Sequence, residues 1–149
     1  MSIKNLVLQK GWAGKTISRV ETAERVNALI RPLVDLLLLY NDSLRVSADS
    51  TDMSAVQQAM PILRADIGKL AETVHSSGAV AYSGAEPTGA SPPGKESNWS
   101  AVLEREAAFS DTVSKEKEIE HQMRTRAILA NVVTNSIHRQ ELVKQILEQ

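Results

Sequence analysis

SKEKEIEHQ, residues 114–122, is an almost wholly polar run between two apolar stripes. It lies within 98–149, a segment with no glycine and no proline. Two structures suit that segment. Either a tight turn near 114–118 separates two helices, or one helix of about 50 residues runs on for roughly 75 Å. A helix that long cannot bury its faces within one small domain, so it requires a partner chain. The reading of this run therefore decides between a four-helix bundle and a helical dimer. Its charges read as a solvated helix face with i,i+4 pairs such as Glu120 and Arg124, or as a polar seam that sets register between chains.

Before the run, Trp99, Val102, Leu103, Phe109 and Val113 share one helical face, and Ser97 or Asn98 can cap its start. After it, Met123, Ile128, Leu129, Val132, Val133, Ile137, Leu142, Val143, Ile146 and Leu147 cover a broad arc. Val143, Ile146 and Leu147 point away from the Ile119/Met123 side, which predicts two contact surfaces. Leu129, Val133, Val143 and Leu147 are the expected interface residues.

Upstream, residues 79–97 read as a flexible connection. The stretch 76–97 holds four of the seven glycines and three of the five prolines. Residues 18–78 read as an antiparallel helical hairpin. Ser18 to Glu21 spells a capping box ahead of Val26, Leu29, Ile30, Leu33, Leu36, Leu37 and Tyr40. A second box, Ser54 to Gln57, precedes Val56, Met60, Leu63, Ile67, Leu70 and Val74. Pro32 and Pro61 interrupt the two stripes at similar heights, so they either kink both helices together or end them. Residues 1–17 form an N-terminal arm. The expected fold class is all-α: an antiparallel hairpin plus one or two further long helices.

Composition narrows the function. The chain has 149 residues, enough for one domain with a real core, and 42% of them are hydrophobic but only 3% aromatic. Formal net charge is −1, so no global field favours nucleic acid. Arg124, Arg126 and Arg139 are interleaved with acids and lack aromatic neighbours. There is no cysteine, which removes thiol catalysis, disulfides and thiolate metal sites. No leader-like N-terminal segment and no membrane-length apolar run is present, so a cytoplasmic location is expected. GASPPGKE at 89–96 imitates a phosphate loop, but Glu96 stands where magnesium needs a hydroxyl and Pro92 and Pro93 delete backbone donors. GWAGKT at 11–16 has its glycines two residues too close.

ETVH, 72–75, and EIEH, 118–121, each place a Glu three residues before a His, on one helical face. With four helices and a long middle connection, the chain resembles the ferritin-like di-metal family in these coarse respects. The resemblance implies Glu72, His75, Glu118 and His121 as metal ligands, joined by Glu21 or Glu24 and by Glu104, Glu106 or Asp111. Such ligands project inward. At about 100° per residue, Glu24 lies opposite the stripe of Val26, Leu33 and Tyr40, and Glu72 opposite Ile67 and Val74. His75 sits at the side of its stripe. The sequence therefore favours a non-enzymatic assembly, adaptor or scaffold module without a cofactor. It would pair with itself or with another helical protein. The di-metal bundle is the alternative.

Overall fold

The computed structural model describes residues 16–47, 52–83 and 98–149. The arm up to residue 15, most of the first turn and the connection at 84–97 lie outside the described residues, and with them nearly all of both phosphate-loop spellings. The described residues form four helices and no strand: α1 (Arg19–Val46), α2 (Ser54–Ser76), α3 (Trp99–Lys117) and α4 (Met123–Leu147). The segment 98–149 is thus two helices. The polar run ends α3 with tightened bonds from Glu118 N to Lys115 O (3.2 Å) and from Ile119 N to Glu116 O (3.1 Å). The chain then turns under His121, whose side chain is buried, and Ile17 N donates to Glu120 O at 2.9 Å to hold the turn.

End-to-end contacts fix the topology. The start of α1 meets the end of α2, where Arg19 Nη2 donates to Ser76 O at 2.6 Å. The end of α1 meets the start of α3, where Trp99 Nε1 donates to Ser47 Oγ at 2.9 Å. Asp52, just before α2, accepts from the side chain of Gln149 just after α4. The order is up, down, down, up, with one long crossover between the hairpins, and every neighbouring pair is antiparallel. α1 packs on α2 and α3, and α4 packs on the same two. This is an all-α four-helix bundle with one crossover connection.

Local chemistry explains the ends. Ser18 caps α1 by accepting from Glu21 N at 3.1 Å, as the box predicts. Asn98 caps α3 by accepting from Ala101 N at 2.7 Å. The second box is displaced: Ser54 is already helical, and Asp52 accepts from both its N–H and its hydroxyl. Gly78 closes α2 with φ of 88°. Bonds from Gly78 N to His75 O and from Ala79 N to Val74 O complete a Schellman motif, whose left-handed residue favours glycine. Both prolines are carried inside continuous helices. Each is exposed, and so are Ala28 and Gln57, whose carbonyls lose their partners four residues on. Water can satisfy those carbonyls, so neither helix needs to stop.

The first residues of the connection are held. Tyr82 N donates to Asn27 Oδ1 at 2.7 Å, and the Arg31 guanidinium lies 5.8 Å above the Tyr82 ring. The core is one aliphatic cluster fed by all four helices, including Ile30, Leu33, Leu63, Leu70, Val102, Leu129 and Val143. No helix among the described residues is long and apolar enough to cross a membrane.

Candidate functional site

A polar cluster sits inside this aliphatic core, with a side chain from each helix. Tyr40 comes from α1, Asp66 from α2, Glu106 from α3 and Arg139 from α4, all buried. Each occupies a position in its helix's apolar stripe: Glu106 falls between Val102 and Phe109, and Arg139 between Ser136 and Val143. Helical spacing therefore drives the charges inward, with the packing of their neighbours fixing how far.

Glu106 is the hub. Its Oε1 accepts from the Tyr40 hydroxyl at 2.7 Å and from Arg139 Nε. Its Oε2 accepts from the Ser136 hydroxyl at 2.6 Å and from Arg139 Nη2 at 3.3 Å. Four donors fill the two oxygens, so this carboxylate has no lone pair left for a metal or a substrate. Arg139 also faces Asp66, with Nη1 3.9 Å from Oδ2. Both Asp66 oxygens accept from Asn135 Nδ2, at 3.1 and 3.0 Å. The cluster thus ties α1 to α3 and α2 to α4, the two contacts that join the hairpins.

Burial pushes the Tyr40 phenol far above its ordinary range, and the adjacent Glu106 charge pushes it further, so it stays protonated and donates. Burial also raises the Asp66 carboxyl, against the opposing pull of Asn135 and Arg139. A carboxyl raised on folding lets the folded state hold its proton longer than the unfolded chain does. Its contribution is full below the unfolded value of 3.8 and is lost as pH rises through the folded value. Asp66→Asn should therefore flatten the stability curve in that window, and urea unfolding at a series of pH values from acid to neutral checks it. An unchanged slope would mean Asp66 titrates alike in both states.

A second buried polar group closes the other end. His121 Nε2 lies 2.8 Å from Glu116 Oε1, and Arg25 Nη1 donates to Glu116 Oε2 at 3.4 Å. The Glu-x-x-His spelling is thus divided: His121 turns to Glu116, while Glu118 is exposed. Glu72 and His75 are both exposed, and Glu72 accepts from Arg124 Nη2 at 3.4 Å. Of the remaining implied ligands, Glu24, Glu104 and Asp111 are exposed and Glu21 is half-buried against Arg25; Glu106 alone is inward. Among the described residues no group of three or more His, Asp and Glu side chains is placed to hold a metal ion.

The four expected contact residues divide as well. Leu129, Val133 and Val143 are buried in the chain's own core, and Leu147 is 45% exposed at the end of α4. Met123, counted in the broad apolar arc of this helix, is 87% exposed. The sequence carried no expectation for Asp66, gave Arg139 only as a charge interleaved with acids, and gave Glu106 only as one of three alternatives for an inward ligand. The available signal was a charge at i+3 or i+4 within an apolar stripe on three separate helices. No protein-family model matches the chain, and no curated protein is significantly similar to it.

Proposed function

We propose that the chain is a non-enzymatic helical module that works by association, its first partner being a second copy of itself. The observation that carries this reading is the placement of large apolar side chains on the outer faces of a bundle whose core is already filled. Leu38 and Ile137 are 50% exposed, Ile62 46% and Leu147 45%. They stand on three of the four helices, where rigid backbone presents them to another surface. A formal net charge of −1 adds little repulsion between copies.

The test is native mass across a wide range of protein concentration, for wild type and for Ile137→Asp combined with Leu147→Asp. Both positions are on the surface, so the double variant should keep its helical signal. Wild type is expected at a mass of two or more chains, and the double variant at one. Single chains at every concentration, or a variant that assembles like wild type, would remove the support for self-association through α4.

A further inference from the structure

A cleft of about 120 Å³ opens at the end of the bundle where α1 begins, α2 ends and α4 begins. α1 contributes Arg19 and Thr22, α4 contributes Arg124 and Thr125, and the last turn of α2 forms the third wall. That is room for several waters or for one tetrahedral oxyanion.

The α4 side of the cleft offers donors, while the lining hydroxyls of Thr73, Ser76 and Ser77 on the α2 side each donate to a backbone carbonyl of their own helix. Gln122 stands at the N-cap of α4 but makes no side-chain cap bond. The first helical bond runs from Arg126 N to Gln122 O at 3.0 Å, so the preceding N–H groups of the turn, those of Arg124 and Thr125 among them, lack helical partners. Independently, Thr22 and Thr125 are each only 7% exposed, line the cleft, and have no hydrogen bond from their hydroxyls among the described residues. Two guanidinium groups stand beside them. The α2 wall, which would otherwise repel an anion, has its end carbonyls occupied. Ser76 O takes Arg19 Nη2, Thr73 O takes Ser77 N and Oγ, and His75 O takes Gly78 N. Glu72 is an exposed partner of Arg124 that an incoming anion would displace.

We infer that this cleft binds a small oxyanion of the phosphate class, free or as the terminal group of a small monoester. The unpaired N–H groups of α4 and the two threonine hydroxyls face the oxygens, and Arg124 neutralises the charge.

The experiment is a titration of the full chain, labelled with nitrogen-15, first with inorganic phosphate and then with phenyl phosphate. Ionic strength is held constant with chloride, and the amide signals are followed. Saturable shifts at Arg124 and Thr125 are expected in wild type. Arg124→Gln should weaken association about tenfold, and Thr125→Val severalfold. Arg124 is on the surface, so its variant keeps the inference testable if the threonine variant fails to fold. Tighter binding of phenyl phosphate assigns a monoester, and tighter binding of phosphate assigns the free ion. Shifts that chloride reproduces, or saturable shifts of equal affinity in wild type and Arg124→Gln, would overturn the inference.

Discussion

Replacing Arg139 with methionine is expected to cost the fold about 3–5 kcal/mol at neutral pH. The loss comes less from the missing attraction than from what stays behind. Glu106 would remain fully buried with only Tyr40 and Ser136 as donors, and Asp66 would lose the cation 3.9 Å away. Against a total of about 5–15 kcal/mol for a domain, that leaves a protein close to its threshold. The variant should recover on acidification. Burial already raises the Asp66 carboxyl, and without the opposing pull of the guanidinium it stays raised, so the folded state keeps a proton that the unfolded chain releases. Stability is then regained as pH falls through the folded value of Asp66 toward about 4, where the unfolded chain also takes up the proton. Urea unfolding at neutral and acid pH measures both effects. A loss under about 1 kcal/mol at neutral pH would mean that water reaches the carboxylates.

The second large effect concerns α4 and separates core from surface within one turn. Val143→Asp should cost about 4 kcal/mol or more, because it removes an aliphatic group and leaves an unpaired carboxylate in an aliphatic cluster. Val143 is fully buried. Leu147→Asp, four residues on, should cost far less, since that side chain is already 45% in solvent. Thermal unfolding followed by circular dichroism distinguishes the two. Near-equal losses would mean that the end of α4 is packed much as its middle is. The contrast also bears on assembly: a charge at Val143 perturbs folding before it perturbs association, so contact between chains is read at Leu147 and Ile137.

The helices were legible in the sequence because their signals are local. Ser18 and Asn98 cap as their side chains suggest, and Pro32 and Pro61, expected to kink or end two helices, stand inside continuous ones. Their effect was not legible, because it depends on which face they occupy. Both lie outward, where the lost bond is exposed to water. The polar run at 114–122 left one helix or two undecided. The deciding event is the burial of His121 against Glu116, a contact that charge alternation alone does not encode. Glu106 and Arg139 were hidden for a related reason. Each looks like an ordinary surface charge until its partner is placed opposite, thirty-odd residues away on another helix. The breadth of the apolar arc on α4 was legible, but two neighbours within the same chain, α2 and α3, take up most of it.

A buried charge pair of this kind bears on which arrangement forms, because breaking it is costly. Slipping one helix by a turn would bury Arg139 or Glu106 without its partner, and aliphatic packing alone carries no comparable penalty. The central claim is that the Glu106–Arg139 pair acts as one unit holding the hairpins together. It is tested most directly by a double-mutant cycle on unfolding free energy, using Glu106→Gln, Arg139→Met and the two combined. Glutamine can still accept from Tyr40 and donate to Ser136, so the combined variant leaves no unpaired charge at position 106, and Asp66 loses its cation equally in Arg139→Met and in the combined variant. The combined variant is expected to be more stable than Arg139→Met alone, with a coupling on the order of 2–3 kcal/mol. Losses that simply add, to within about 0.5 kcal/mol, would contradict it.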